Sequence, residues 1–580
     1  MAWTDAAIDR RMLLAQGGLA AGLLATGGRV MAQDAGTATV FHGGSILTME
    51  DVAPSVEAIA VRNGLIIAAG TLDAANSAAG RGAKRFDLQG RTLLPGFFDP
   101  HGHVVMVGLQ ARYANLLPAP DGEGDSIPSL QQITRLWMRK HADLVRKTQL
   151  VIGFGYDDSQ LREQRHPTRA ELDAISKDVP ILFLHQSSHM GSVNSAALAA
   201  AKISAATPDP DGGVYRREPG SKEPNGVLEE SALFAMMGVL FTRLDAQANM
   251  EMIREGAAFY ASFGYTTCQD GRSSTDTCKL IAAVAAQGGL PIDVLSFPDI
   301  LTSTDAMELP SYRRDYAGRF RIGGVKLTID GSPQAKTAWM SQPYYIPPEG
   351  QSAAYAGYPA ITEKQAMDLV DLAFAQGWQI QVHANGDAAV DMLIAAVREA
   401  TKKHGAADRR PVLIHGQVTR EDQVDQLKAL GIVPSFFPMH TFYWGDWHRD
   451  SVLGPRRAEN ISPCGWALRR GMRFTSHHDA PVAHPNALRV LSATVTRRTR
   501  SGDILGADQR VPVDVALKAM TLWAAWQHFE DDRKGSLAPG KLADLTILSD
   551  NPMTIDPDRL ANISVTNTFK EGRSVTGGSA

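Results

Sequence analysis

The chain has 580 residues, 44% of them hydrophobic and 21% charged, with a formal net charge of −4 and a pI near 6.5. That length exceeds one ordinary core but accommodates a large α/β barrel with a smaller companion domain. The balance is that of a soluble globular protein without a basic footprint for nucleic acid. Cys268, Cys278 and Cys464 are too few for a disulfide scaffold, and with no CxxC pair they argue against a zinc knuckle.

At the N-terminus, Asp9-Arg10-Arg11-Met12-Leu13-Leu14 sets paired arginines before a weakly apolar Gly/Ala-rich run, followed by the small-residue site Val30-Met31-Ala32. The pattern resembles a twin-arginine export signal over residues 1–32. The run is too short and glycine-rich to span a bilayer, and no other segment has the length and apolarity of a membrane helix. The expectation is a periplasmic protein, exported by the twin-arginine machinery and soluble after cleavage, with no stable membrane insertion.

Residues 37–95 alternate β-rich runs with turns, including Ala58-Ile59-Ala60-Val61 and Leu65-Ile66-Ile67-Ala68 across Asn63-Gly64. Two such runs on an Asn-Gly pair predict a hairpin. Residues 535–580 have the same flavour, in Ala543–Leu548 and Val565–Lys570. Both chain ends are therefore expected to build one small β domain.

Between the ends, strand-like runs alternate with amphipathic helices, the pattern of a parallel α/β fold. Thr362 and Gln365 predict a capping box ahead of Ala366, Leu369, Val370, Ala373 and Phe374 at helical spacing. A second helix carries Val390, Leu393, Ile394 and Val397 and ends in Lys402, Lys403, His404 and Gly405, a basic last turn closed by glycine. Strands are expected at 92–99, 180–185, 265–269, 323–329, 378–383, 411–415, 432–437 and 472–477. Eight strands with helical links predict a distorted TIM (β/α)8 barrel over 96–534, with helical insertions at about 104–179 and 190–260.

The run Pro95-Gly96-Phe97-Phe98-Asp99-Pro100-His101-Gly102-His103 ends an apolar segment with two histidines in an i, i+2 relation. On a strand such residues share a face, a geometry suited to two nitrogens on one borderline metal ion such as zinc. Lys326 lies in the fourth expected strand, His383 ends the fifth, His415 ends the sixth, and Asp479 follows the eighth. A TIM barrel gathers its chemistry at the C-terminal strand ends, so these six residues converge. Four imidazoles, one lysine and one carboxylate describe a two-metal site. The aromatics Phe442, Tyr443, Trp444 and Trp447, after the seventh strand, show no regular periodicity and predict an apolar wall favouring ligands with bulky apolar substituents.

In motif content the mature chain resembles the amidohydrolase superfamily, within it the amidohydrolase-3 group of YtcJ-like and N-substituted formamide deformylase-like proteins. The resemblance rests on PGFFDPHGH (95–103), FGYDD (154–158), PTRAELD (167–173), HMGSVNSAAL (189–198) and NGVLEE (225–230). It continues through GVKLTIDGS (324–332), VHANGDAAV (382–390), LIHGQ (413–417), HHDAPV (477–482) and GSLAPGKLADLTIL (535–548).

The resemblance implies a β-sandwich from residues 37–95 and 535–580, and a hydrolase of non-peptide C–N bonds acting on a small amide. It also implies one or two divalent ions, zinc foremost. His101, His103 and Asp479 would hold one ion and His383 and His415 the other, with Lys326 bridging as an N-carboxylated lysine. Asp479 would serve as general base and then general acid. His189 and His440 fall where relatives place substrate or oxyanion contacts, and Trp444 and Trp447 complete the expected substrate set. A homo-oligomer is compatible with this reading. The chain departs from the pattern at Ser187-Ser188-His189-Met190 and at His477-His478 before the last aspartate. Cys268 is a weaker candidate for a bridging ligand than Lys326. A metal-dependent deaminase and a catalytically silent, exported metal-binding homologue are the alternatives.

Overall fold

The computed structural model describes residues 36–348 and 350–576, and from Thr37 onward these form one compact unit. The export-type segment 1–32 lies outside the described residues. Among those described, no helix is long and apolar enough to cross a membrane.

Asn63 and Gly64, with φ of +53° and +81°, turn strand Ala58–Arg62 back onto Leu65–Gly70. Thr39–His42 and Lys84–Asp87 complete a four-stranded sheet with this hairpin. A six-stranded sheet takes Ser45–Leu47, Ser55–Val56 and Thr92–Pro95 from the front of the chain, and Leu545–Leu548, Val565–Lys570 and Arg573–Ser574 from its end. Phe41 of the first sheet meets Phe569 of the second edge to face at 5.5 Å, a favoured arrangement of aromatic rings.

Eight strands carry the central ring: Phe97–Phe98, Tyr265–Ser273, Asp293–Pro298, a fourth in two parts (Phe320–Ile322 and Gly324–Thr328), Gln379–Ala384, Val412–His415, Val433–Phe436 and Thr475–Ser476. Their ladders are parallel and fall into two sheets. The sheets meet at Gly323, where the fourth strand passes from one to the other and the Ile300 N–H donates to the Lys326 carbonyl at 2.8 Å. At the opposite seam no ladder joins Thr475–Ser476 to Phe97–Phe98, and the His103 N–H reaches the Ala480 carbonyl at 2.8 Å instead. The result is a distorted, incompletely laddered TIM-type barrel.

The two expected helices form at Glu363–Gln376 and Asp387–His404. Thr362 and Gln365 cap the first reciprocally, and Gly405, with φ of +73°, ends the second.

Three strand assignments change. The segment 92–99 divides at Gly96, its first half joining the terminal sheet and Phe97–Phe98 the barrel. Ile181–His185 is not a barrel strand. It belongs to a separate six-stranded mixed sheet with Ala114–Asn115, Val151–Tyr156, Met190–Val193, Gly213–Arg217 and Pro224–Glu230. Asp293–Pro298, buried throughout, takes the vacant place in the ring. The stretches 104–179 and 190–260, expected to be helical insertions, thus carry most of that sheet alongside their helices. An apolar strand buried on both faces gives no sequence sign of which sheet it joins.

The insertion is tied to the barrel by two helices, Val104–Arg112 and Ala246–Ser262. Gly108 and Gly256 face the opposite helix so closely that a Cβ on either would run into its backbone, at Met252 and Val104 respectively. Small residues permit this close packing of the helix that follows His103.

Candidate metal centre

His101 and His103 lie beyond their strand, in the turn before helix Val104–Arg112. Their convergence therefore comes from the turn and not from strand alternation. The buried Asp99 carboxylate accepts the His101 N–H at 3.2 Å. The Pro100 carbonyl accepts from Gln269 and Gln527 side chains at 2.7 and 3.1 Å. The two rings end 5.2 Å apart, nearly perpendicular.

Asp479 Oδ1 lies 3.2 Å from Nε2 of both His101 and His103, while Oδ2 lies 3.9 Å from His415 Nε2. Ligand atoms of His101, His415 and Asp479 all fall within 4.8 Å of one another. Lys326 Nζ stands 3.1 Å from His101 Nε2. His415 Nε2 and His383 Nδ1 face each other at 3.0 Å. The Gly331 carbonyl and the Asn385 side-chain amide lie 3.1 and 3.2 Å from His383 Nε2; with the proton on Nε2 toward the carbonyl, Nδ1 is the lone-pair side. All six expected residues meet here. His415 and Asp479 both adopt left-handed backbone, with φ of +71° and +54°, a strained conformation of the kind that clusters at functional sites.

Burial drives His101 and His415 well below their ordinary pKa and takes His383 to about 3, so these imidazoles are neutral and free to donate lone pairs. It also pushes Lys326 down to about 7. Burial opposes the Asp479 charge, yet His415, His101 and His103 hold its carboxyl well below the usual range. Neutral imidazoles, one carboxylate and one lysine, converging out of water, form a donor set that fits a borderline divalent cation.

The substrate set divides. His189, part-exposed, pairs through Nδ1 with Glu230 Oε2 at 2.8 Å. His440 is buried, its ring 4.0 Å from that of Phe437. The aromatic segment is helical, at Met439–Trp447. Trp444 is buried in it against His440 and Tyr443, a core ring and not an open wall. Trp447 is 41% exposed, donates to the Gln334 carbonyl at 3.0 Å and lies under the Lys336 ammonium at 4.8 Å. Helical alternation split these two rings between core and rim, a pattern short enough to escape a periodicity reading.

Asp330, Glu230 and His477 were not among the expected site residues. Asp330, inside the GVKLTIDGS motif, accepts N–H groups of Trp339, Asn385 and Gly386 at 3.0, 2.9 and 2.8 Å and sits 3.5 Å from His383 Nε2. Burial raises its carboxyl to about 7 against those bonds. His477 is fully buried, its ring 5.3 Å from His101, 5.1 Å from His415 and stacked on Phe437. Its departure from the motif pattern was the available signal.

The amidohydrolase family model matches residues 84–576. The chain belongs to the amidohydrolase family. It is 26% identical over 538 residues to an N-substituted formamide deformylase from Arthrobacter pascens, covering 89% of this chain and 94% of that protein. It is likewise 26% identical over 550 residues to the putative amidohydrolase YtcJ of Bacillus subtilis, covering 92% and 99%. Among solved structures, an uncharacterized metal-dependent hydrolase from Pyrococcus horikoshii superposes with a TM-score of 0.72 at 24% identity, covering 90% of this chain and 99% of that one. That likeness agrees with the TIM-type architecture of this amidohydrolase.

Proposed function

We propose that this hydrolase cleaves a non-peptide C–N bond in an amide, N-acyl, N-formyl or cyclic amide substrate. The observation that carries the reading is Asp479, an ionised carboxylate 3.2 Å from two imidazoles and beside a buried lysine. His101, His103 and Asp479 would hold one divalent ion and His383 and His415 a second, zinc foremost, with Lys326 N-carboxylated between them. Such ions, when bound, polarise a carbonyl and lower the pKa of water.

The protein's own groups supply the rest. Asp479 takes the proton of the attacking water and returns it to the leaving nitrogen. Gly331 and Asp330 keep His383 in one orientation, work that partners behind a metal ligand perform in general. His189, held by Glu230, would contact the substrate carbonyl. The deformylase among the relatives supports amide cleavage, and the paired Arg10-Arg11 supports export to the periplasm.

The test is an assay of zinc-loaded protein against N-formyl, N-acyl and cyclic amides, with amino-heterocycles as a counter-panel. Zinc-dependent release of amine and carboxylate supports the reading. Ammonia released from the counter-panel without amide cleavage overturns it. Signal cleavage after Ala32 and recovery of activity in a periplasmic fraction test the location.

A further inference from the structure

Outside the barrel cluster, the insertion sheet brings together a second group of metal-ligating side chains. Strands Val151–Tyr156 and Ile181–His185 run parallel, with Tyr156 opposite His185. Their ends therefore place Asp157 and Asp158 beside the His185 ring. His185 Nε2 lies 3.0 Å from Asp158 Oδ1 and 3.7 Å from Asp157 Oδ1. The three ligand atoms fall within 4.8 Å of one another.

An independent observation comes from the loop that follows. His166, only 7% exposed, directs Nε2 toward Asp158 Oδ2 at 3.7 Å, beyond hydrogen-bond range. Both rings are held from behind through Nδ1. Tyr156 Oη sits 3.0 Å from His166 Nδ1. Ser187 Oγ lies 2.8 Å from His185 Nδ1, where it accepts the ring N–H of the tautomer that leaves Nε2 as the lone-pair side. His185 Nε2 is buried without a well-formed hydrogen bond. Imidazoles anchored at Nδ1, with Nε2 turned toward a shared carboxylate, have the arrangement that orients histidine ligands around a metal. Asp157 Oδ1 also accepts from the N–H and Oγ of Ser159, at 3.0 and 2.7 Å, which fixes that carboxylate in place.

We propose that Asp157, Asp158, His166 and His185 form a separate divalent-cation site of zinc-type chemistry that fastens the 157–168 loop to the ends of the insertion strands. Two nitrogens and two carboxylate oxygens supply the four donors that a structural zinc takes. Asp158 remains part-exposed and gives the ion its way in.

The site shares no residue with the barrel cluster, so its test does not depend on turnover. Full-length protein and the variants Asp158→Asn and His166→Gln are saturated with zinc, freed of excess, and measured for zinc per chain and for the zinc-induced shift in Tm. The same comparison is made in a His101→Ala/His103→Ala background. Each folded variant is expected to hold one zinc equivalent fewer than its parent in both backgrounds, and to lose the part of the Tm shift that persists after the barrel substitutions. Asp158→Asn preserves shape, and His166→Gln gives the same readout should it fail to fold. Equal zinc content in parent and in either folded variant overturns the proposal and leaves the cluster an ion pair.

Discussion

Lys326 Nζ lies 3.1 Å from Nε2 of His101, two groups that would repel each other if both were protonated. Burial holds the amine near pKa 7, which leaves a neutral, nucleophilic fraction available to carbon dioxide. Lys326→Ala is expected to lower kcat/KM by at least about 10²-fold, the scale lost when a preorganised charged group leaves an active site. Short-chain carboxylic acids, which would stand in for the carbamate proposed on Lys326, should restore part of it. Full activity without additive would remove the lysine from the mechanism.

Asp479 separates its two roles through one substitution. Asparagine keeps the shape, tolerates the left-handed backbone at φ +54°, and cannot accept a proton. Asp479→Asn should therefore fold normally while kcat falls by about 10²- to 10⁴-fold, the range for general acid–base groups. A variant as active as the parent at neutral pH would show that another base works here.

Removal of the first pair of imidazoles tests the metal directly. His101→Ala/His103→Ala is expected to lose one zinc equivalent and activity together. Chelator treatment of the parent should abolish turnover, and added zinc should restore it. Unchanged metal content in the double variant would sink the ligand assignment.

Much of the centre was legible because its ligands sit at ends of apolar runs whose order matches a barrel. Lys326 lies within its strand, His383 and His415 lie at the ends of theirs, and Asp479 follows Thr475–Ser476, all strands that form where expected. Less of the surroundings could be read. Ile181–His185 and Asp293–Pro298 are both short, apolar and wholly or almost wholly buried, and only tertiary pairing separates a barrel strand from an insertion strand. Asp330 and Glu230 act through contacts to His383 and His189 from distant segments, and no spacing rule brings those pairs together.

The two tryptophans should part company. Trp444 is 6% exposed within helix Met439–Trp447, so Trp444→Ala removes a core ring at about 3–5 kcal/mol. Its activity losses should be equal for bulky and small amides once stability is matched. Trp447→Ala loses a partly exposed rim ring, with its Lys336 contact and one carbonyl bond worth about 1 kcal/mol or less each, and is expected to cost less than Trp444→Ala. Chemical denaturation of both variants checks the order. A larger loss at Trp447, or a bulky-substrate defect confined to Trp444, would return these rings to the substrate wall.

A final prediction concerns acid stability. Glu530 is buried with Arg321 Nη2 at 2.6 Å, Lys534 Nζ at 2.6 Å and the Tyr316 hydroxyl at 2.8 Å. Burial disfavours its charge, but Lys534 and Arg321 outweigh that and hold the carboxyl at about 2, against an ordinary 4.5. Asp293 extends the network, 2.7 Å from Lys534 and 2.6 Å from Lys570, and so joins the barrel to the terminal sheet. Because the folded pKa is the lower one, the charged form stabilises the protein fully above the unfolded value, and this contribution fades as pH falls toward the folded value. Glu530→Gln leaves two buried cations short of a partner, at about 3–5 kcal/mol near neutral pH. The gap between parent and variant should narrow from pH 4.5 toward about 2, where the parent's protonated carboxyl and the variant's amide are both neutral. Denaturant titrations at pH 7, 4 and 3 measure it. A gap that is constant or widens toward acid would mean that Glu530 is not held ionised by Arg321 and Lys534.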